Sequence, residues 1–284
     1  MHDIFYFTDI HGMYDLYHAI VDYCIEQDPE CMIIFGGDAC DRGPDGYKII
    51  KEMLDNPQIG YLKGNHEDMF VQAACAIKRE YKGPIDDAEI NKFLVRMNET
   101  DDSGLIEVAQ CILNGGFKTL KDWMLDGMPM DIVDRLFRLQ VALSYEDIDF
   151  CHAGGTYDAF CKVAEAEYND EWPDWDDEKV AIWDRNYIPM GWKTGRTCIF
   201  GHTPVPFLKN KYHHGNVHEP CKYVGKMDDR FTGVKIDMDT GAFYTGIAYV
   251  LNVLTMQAQG FKDNDVKNDE IRKHDIEKIN IIQL

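Results

Sequence analysis

The chain has 284 residues and carries 50 Asp and Glu against 29 Lys and Arg, which gives a formal charge of −21 at pH 7. This length favours one large domain with insertions, and a hydrophobic content of 45% is typical of a globular protein. The negative charge argues against nucleic acid or an anionic membrane as a partner, and nine cysteines without a C-x-x-C pair argue against a disulfide scaffold or a zinc ribbon.

The N-terminal segment MHDIFYFTDIHG has no basic region, and polar residues interrupt its apolar stretch, so it is not typical of a signal peptide. No apolar run approaches the length of a transmembrane helix. Together with the cysteine pattern, these features favour a cytoplasmic protein.

Short apolar segments bounded by turn residues recur along the chain. Such runs suit strands buried on both faces better than helices. Amphipathic helical patterns follow the first three of them, beginning with residues 12–27, which predicts a β-α-β-α start. The strand candidates are Ile4–Phe7, Met32–Phe35, Ile59–Leu62, Ile148–Cys151 and Thr197–Phe200.

The remaining segments predict a catalytic domain over residues 1–260. Residues 83–140 are interpreted as a polar helical cap rather than core, and residues 156–180 and 205–230 as insertions. Residues 139–152 predict a hairpin, and 233–257 predict further strands. The charged residues 261–284 are interpreted as a C-terminal extension, either a peripheral helix with a closing strand or an oligomerisation element.

Polar residues of one chemical kind directly follow each strand candidate. Side chains just beyond the carboxyl ends of strands in an α/β sheet converge on one crevice. Carboxylate, amide and imidazole donors suit Mn²⁺, Fe or Zn²⁺ better than Ca²⁺ or Mg²⁺. Their number favours two ions, which a shared Asp would hold roughly 3.5–4 Å apart. The residues are Asp9 and His11; Asp38, Asp41 and Arg42; Asn65 and His66; His152; and His202.

Five ordered motifs carry a family resemblance. They are TDIHG (8–12), GDACDRGP (37–44), LKGNHE (62–67), CHAGG (151–155) and FGHTP (200–204). The series resembles calcineurin-like metallophosphoesterases and, among them, the PPP family of serine/threonine protein phosphatases. ILNGG (112–116), AIWDR (181–185) and DTGAF (239–243) are similar to segments of the small phage and bacterial members. The resemblance implies a four-layer α-β-β-α sandwich of two mixed sheets, with the active site at the carboxyl ends of the strands.

The resemblance also implies roles for individual residues. The family's metal ligands match Asp9, His11, Asp38, Asn65, His152 and His202, with Asp38 bridging two divalent ions, Mn²⁺ by preference. Its phosphate-clamping arginines match Arg42 and Arg185, and its acid–base pair matches His66 and Asp41. A hydroxide held between the ions would attack phosphorus, and His66 would protonate the leaving alkoxide. Glu67 is interpreted as an N-terminal charge of the following helix, with a role behind the ligands left open.

Two positions depart from related patterns. Thr8 stands where the family usually has Gly; because it precedes Asp9 rather than supplying a ligand, we expect only a local packing change. Pro204 stands where cyclic-nucleotide phosphodiesterases and many nucleases have the second His of G-H-x-H, which disfavours those activities.

The leading hypothesis is a phosphomonoesterase of the serine/threonine protein-phosphatase type, acting on phosphorylated proteins or small phosphate esters. A symmetrical dinucleoside tetraphosphatase is the first alternative, although such enzymes usually lack the Asp of DRG and carry GNHD, whereas this chain has Asp41 and GNHE. A catalytically silent metal-bound scaffold is the second alternative. A scaffold has no use for His66, Asp41 and Arg42, so their presence favours an enzyme.

Overall fold

Strands and helices alternate through the first 80 residues, as a computed structural model shows. The structure describes residues 2–99, 105–188, 190–208, 216, 218–224, 230–264 and 276–284. The first elements are β1 (Ile4–Phe7), α1 (Tyr14–Gln27), β2 (Met32–Phe35), α2 (Gly46–Asp55), β3 (Ile59–Tyr61) and α3 (Asn65–Glu80). β1 pairs in parallel with β2, and β2 with β3, so α1 and α2 are crossover helices. The predicted β-α-β-α start is confirmed.

A run of helices follows α3. They are α4 (Asp87–Glu99), α5 (Ile106–Cys111), a kinked turn (Ile112–Gly116), α6 (Phe117–Leu125) and α7 (Met130–Phe137). The helices are confirmed, but they do not form a cap outside the core. Ile90, Leu94, Trp123 and Leu136 are buried in the same hydrophobic cluster as α1, α2 and α3. Residues 100–104 of this segment lie outside the described part of the chain.

The second half of the chain contains most of the strands. The elements are β4 (Ala142–Tyr145), β5 (Ile148–Cys151), α8 (Tyr157–Tyr168), α9 (Trp175–Trp183), β6 (Thr197–Phe200), β7 (Cys221–Val224), β8 (Val234–Asp237), α10 (Ala242–Thr245), β9 (Ile247–Asn252), β10 (Gln257–Asp263) and β11 (Ile276–Gln283). The first sheet has the order β11-β10-β9-β1-β2-β3, and the second has the order β4-β5-β6-β8-β7. Both sheets mix parallel and antiparallel pairs.

The two sheets pack face to face with helices outside each. In β1, Phe5 and Phe7 point into the cluster shared with α1 to α3, whereas Ile4 and Tyr6 point between the sheets. Tyr6 stacks there on Phe150 of β5 with ring centroids 5.5 Å apart. This alternation is the period-two pattern of a strand buried on both faces. The fold is therefore the four-layer α-β-β-α sandwich that the sequence predicts.

Three predicted peripheral segments belong to these layers. The segment 156–180 forms α8 and most of α9, which cover the outer face of the second sheet. The segment 205–230 supplies the edge strand β7, although residues 209–215, 217 and 225–229 are outside the described ranges. The proposed domain boundary after residue 260 falls inside β10, and β11 extends the same sheet. β11 corresponds to the closing strand of the first interpretation of this extension, while residues 265–275 lie outside the described ranges.

None of the helices in the described ranges combines the length and the apolar character that a membrane span needs.

Candidate metal centre and active site

The predicted site residues lie on loops that follow β1, β2, β3, β5 and β6. Parallel pairing within each sheet places the carboxyl ends of these strands at one edge of the sandwich. Backbone hydrogen bonds tie the loops together: Asp9 N donates to Gly37 O at 3.0 Å, and Gly201 N donates to His152 O at 2.8 Å. Residues far apart in sequence therefore share one crevice.

Most of the predicted site residues have a left-handed backbone. Each non-glycine residue in this region costs about 1–3 kcal/mol, so such residues persist only where the surrounding structure holds them. Nearby, a Cβ added to Gly37 would lie 2.6 Å from Gly64 N, which explains the need for glycine at that close approach. The φ angles are 53° for Asp9, 44° for His11, 63° for Asp38, 67° for Asp41, 66° for Arg42 and 70° for His202.

Two groups of buried metal-binding side chains share one carboxylate. Their potential ligand atoms lie within 4.8 Å of one another in each group. Asp38 Oδ2 lies 3.6 Å from His11 Nε2, and Asp38 Oδ1 lies 3.3 Å from His152 Nε2. This position suits a carboxylate that bridges two ions. The groups are His11, Asp38 and His66, and Asp38, His152 and His202.

Asp9 and Asn65 complete the surroundings of the two groups. Asp9 Oδ1 lies 3.9 Å from His11 Nε2. Asn65 Oδ1 lies 3.0 Å from His152 Nε2 and 2.8 Å from His202 Nδ1. The structure thus brings all six predicted ligands into one cluster, in which each residue is at most 2% exposed. We call the space beside His11 and Asp9 the first position, and the space among Asn65, His152 and His202 the second position.

Three of the imidazoles are held by backbone carbonyls. His11 Nδ1 donates to Cys40 O at 2.9 Å, and His152 Nδ1 donates to Gly36 O at 2.8 Å. His202 Nε2 donates to Trp183 O at 3.1 Å. In each ring the other nitrogen faces the cluster, which is the tautomer that presents a lone pair to a metal ion. These residues therefore fit a divalent-metal centre.

The pKa values of these imidazoles differ. Burial is the main cause that holds the pKa values of His11 and His202 well below the usual range. Burial also lowers the pKa of His152, but the adjacent carboxylate of Asp38 outweighs it and raises the pKa to about 10. His11 and His202 are therefore neutral near pH 7, and a cation bound at the second position would take the place of the His152 proton.

His66 has a different partner from the other three imidazoles. Its Nδ1 donates to Asp41 Oδ2 at 2.8 Å, and both side chains are almost completely buried. Burial lowers the pKa of His66, but the carboxylates of Asp38 and Asp41 outweigh burial and raise it above its usual value. Its Nε2 faces the first position, 3.8 Å from Asp38 Oδ2. His152 also gains a proton from a carboxylate, but its Nε2 faces the second position, where an ion would replace that proton; His66 is held through Nδ1 by a carboxylate and keeps Nε2 as a site for a proton.

Arg42 lies between two of the imidazoles. Its Nη1 donates to His11 Nε2 at 2.5 Å, and its Nη2 donates to His66 Nε2 at 3.1 Å. The guanidinium also lies over the ring of Tyr244, 5.6 Å from the centroid. An ion that used His11 Nε2 would displace the first of these contacts. The other predicted arginine, Arg185, is exposed at the rim, where its charge helps to lower the pKa of His202.

Glu67 does more than place a charge at a helix terminus. Its carboxylate accepts hydrogen bonds from Asp38 N and Ala39 N at 2.8 Å, from Gly64 N at 2.9 Å and from Tyr61 Oη at 2.9 Å. It is fully buried. Glu67 therefore joins the loop after β2 to the loop after β3, which fixes Asp38 relative to α3. The earlier interpretation as a helix N-terminal charge is incomplete.

The kinked turn at residues 112–116 contacts the loop that carries Asp41 and Arg42, which the sequence did not predict. Gly115 O accepts the backbone N–H of Arg42 at 3.0 Å, and Thr119 Oγ1 accepts that of Asp41 at 3.1 Å. Gly115 has a φ of 96°, and a Cβ there would lie 2.9 Å from Arg42 N. This segment therefore supports the loop that carries Asp41 and Arg42. The glycine pair in ILNGG was its only sequence signal.

Two further buried carboxylates lie near the site. Asp237 is 0% exposed and Asp239 is 2% exposed, and one oxygen of each has no hydrogen-bond partner within the described ranges. Burial raises both pKa values well above the usual range, and the charge of Asp9 raises that of Asp239 further. Neither was predicted as a site residue, although Asp239 begins the DTGAF segment.

Comparisons with known proteins identify the class. A sequence model of the calcineurin-like phosphoesterases matches residues 2–218. The chain therefore belongs to the calcineurin-like phosphoesterase family, whose members are metal-dependent phosphoester hydrolases, and the His and Asp groups described above suit divalent ions. None of the curated proteins matches the sequence significantly.

The solved structures that are similar to this chain belong to proteins described with different activities. A candidate diadenosine tetraphosphatase is 13% identical with a TM-score of 0.43, over 98% of this chain and 93% of that one. A protein serine/threonine phosphatase from Saccharomyces cerevisiae is 13% identical with a TM-score of 0.43, over 100% and 81% of the two chains. A cold-active protein-tyrosine phosphatase from a Shewanella species is 13% identical with a TM-score of 0.48, over 92% and 77%. Similarities this low do not select a substrate.

Proposed function

We propose that the protein is a dinuclear-metal phosphomonoesterase of the serine/threonine protein-phosphatase type. The observation that carries the proposal is the buried pair of His66 and Asp41, 2.8 Å apart beside the first position. A scaffold that only bound metal would need the carbonyl-held imidazoles but no carboxylate-held one. A proton carrier next to a metal centre is what cleavage of a phosphate ester requires at the leaving oxygen.

The proposed metal ligands divide between the two positions. Asp9, His11 and Asp38 would hold one ion, and Asp38, Asn65, His152 and His202 would hold the other. Mn²⁺ is the preferred ion, with Fe or Zn²⁺ as alternatives, because the donors are oxygen and imidazole nitrogen. Two such ions supply a water molecule of lowered pKa and positive charge against the phosphate oxygens.

Arg42 would bind the phosphate of the substrate. In the structure, its two terminal nitrogens donate to the neutral nitrogens of His11 and His66. A phosphate oxygen carries negative charge and is a stronger acceptor than a neutral imidazole, so the guanidinium fork would move onto it. Arg185 at the rim is placed to add a second positive charge.

Release of Arg42 would leave His66 Nε2 free to take and hold a proton. Asp41 fixes the ring through Nδ1 and favours the imidazolium, because its negative charge lies against the ring. The proton on Nε2 would pass to the oxygen that leaves phosphorus. General acid catalysis of this kind typically contributes about 10²–10⁴ in rate.

Hydrolysis of p-nitrophenyl phosphate by the chelated protein, with and without added Mn²⁺, tests the proposal. We expect activity that depends on the added ion. Replacement of His66 by Asn should lower kcat by about 10²–10⁴ while Mn²⁺ binding, measured by calorimetry, is retained. His18→Asn is the matched control, because His18 lies on α1 with 42% of its side chain exposed.

Two results would contradict the proposal. Absence of turnover with every divalent ion tested, despite binding, would indicate a scaffold, and an unchanged rate in His66→Asn would remove His66 from the mechanism. A panel of phosphopeptides, small phosphate esters and a symmetrical dinucleoside tetraphosphate then compares kcat/KM. A clear preference for the tetraphosphate would replace the protein-phosphatase assignment by the dinucleoside tetraphosphatase.

A further inference from the structure

Thr8, which departs from the family's usual Gly, contacts a proposed metal ligand. Its Oγ1 donates a 2.6 Å hydrogen bond to Asp9 Oδ2. The backbone N–H of His202 also donates to this carboxylate, at 3.0 Å to Oδ2 and 3.1 Å to Oδ1. Thr8 is 4% exposed, so water does not compete freely for this bond. The same hydroxyl lies 3.4 Å from Gly37 O, a much longer contact, so its one proton is directed at Asp9 Oδ2.

The two oxygens of Asp9 have different surroundings. Both oxygens accept the His202 amide, but the hydroxyl of Thr8 donates to Oδ2, whereas Oδ1 lies 3.9 Å from His11 Nε2. Rotation of the carboxylate about its last torsion would break the bond to Thr8. Oδ1 is therefore held on the side of the first position while Oδ2 is engaged elsewhere.

Glycines at two strand ends leave the room that the Thr8 side chain occupies. A Cβ at Gly201 would lie 2.6 Å from Thr8 Cγ2 and would clash with Asp9 Oδ2. A Cβ at Gly36 would lie 2.8 Å from Thr8 Oγ1. Because Gly36 belongs to the first sheet's loops and Gly201 to the second's, the threonine fills a gap between the two halves of the site.

We propose that Thr8 is a positioning residue that orients Asp9 for metal binding at the first position. This inference rests on the proposed metal centre. It replaces the expectation that Thr8 changes only local packing, since the hydroxyl and not the methyl group makes the contact with Asp9. Hydrogen bonds to ligating carboxylates are known to change metal affinity by about 10- to 100-fold when they are removed.

Calorimetric titration of the chelated full-length protein with Mn²⁺ tests this role. Thr8→Val keeps the shape of the side chain and removes the hydroxyl, so we expect the dissociation constant of one of the two ions to rise by about tenfold or more. Thr8→Ser keeps the hydroxyl and should recover most of that affinity. At saturating Mn²⁺, the KM for p-nitrophenyl phosphate should stay unchanged in Thr8→Val, because Thr8 does not contact the substrate.

The matched control is Thr156→Val. Thr156 caps α8 and accepts Ala159 N at 3.2 Å, away from the cluster, so its loss should lower the melting temperature without changing Mn²⁺ affinity. Unchanged Mn²⁺ affinity in Thr8→Val, or affinity in Thr8→Ser as weak as in Thr8→Val, would overturn the inference. An unaltered protein that binds Mn²⁺ but hydrolyses no phosphate ester would overturn the proposed function and leave the role of Thr8 intact.

Discussion

The first and second positions of the candidate metal centre differ in the side chains that lie beside their imidazole ligands. At both positions backbone carbonyls hold these imidazoles: Cys40 O holds His11, and the carbonyls of Gly36 and Trp183 hold His152 and His202. At the first position, the side chains of Arg42 and His66 lie directly beside His11. Backbone carbonyls neither titrate nor move far, whereas the guanidinium of Arg42 can move and the imidazole of His66 can take up a proton. In the proposed mechanism, the second position would only bind an ion, whereas the first would bind an ion next to the groups that react.

Asp38 is the residue whose loss should erase this difference, because it belongs to both groups. We expect Asp38→Asn to lower kcat by about 10³-fold or more, the upper range for loss of one electrostatic stabiliser in an active site. Mn²⁺ titration should show that affinity falls at both positions. Asp55→Asn is the matched control, since Asp55 has a side chain 75% exposed and pairs with Arg135. Full activity in Asp38→Asn would contradict the proposal that Asp38 bridges the two ions.

Asp41→Asn should sharpen the contrast between His66 and the carbonyl-held imidazoles. The Asp41 carboxylate helps to raise the pKa of His66, so its neutralisation should lower that pKa. The imidazolium then exists only at lower pH, and the alkaline limb of the kcat/KM profile should move to lower pH. Second-position Mn²⁺ affinity should not change. An alkaline limb that does not move would show that Asp41 does not control the protonation of His66 during catalysis.

Asp237→Asn should give the smallest effect, and it acts on stability. Burial, and next the charge of Asp239, raise the pKa of Asp237 above its unfolded value. Its folded form therefore binds more protons, so its contribution is favourable below the unfolded pKa and is lost as pH rises through the folded pKa. The amide removes that charge. We expect the melting temperature of the chelated variant to exceed that of the unaltered protein by about 2 °C at pH 8.

The difference in melting temperature should shrink as pH falls, because protonation then removes the same charge from the unaltered protein. Asp55→Asn again serves as the exposed control. A destabilised Asp237→Asn at pH 8 would indicate that the carboxylate has a partner that stabilises it, such as a bound cation.

Much of the sandwich could be predicted from sequence because its strands are short apolar runs. Ile4–Phe7 and Met32–Phe35 coincide with the observed strands, and polar ligand candidates follow each of them directly. Strands buried on both faces leave a compositional signal that needs no partner to be recognised. The site followed from the same signal, since a strand end determines where the next side chain lies.

The features that were wrongly predicted or missed depend on tertiary contacts, which the composition of a segment does not indicate. The helices after α3 carry charged residues on one face, which hid the buried stripe of Ile90 and Leu94, four positions apart. β11 is an edge strand with mostly exposed side chains, so its sequence resembles a solvated tail, and the predicted domain therefore ended before it. The support of Arg42 by Gly115 O uses only backbone atoms, and a carbonyl leaves no residue-specific trace.

The bond between His202 N and the Asp9 carboxylate joins residues 193 positions apart. As the chain is synthesised, the N-terminal strands can pair long before their partner in the second sheet exists, so we expect the crevice to close late in folding. An ion that binds only the closed crevice stabilises the docked sandwich by mass action and does not bind its separate halves. A bound metal ion would then stabilise the packing of the two sheets late in folding, and its removal would destabilise the interface between them first.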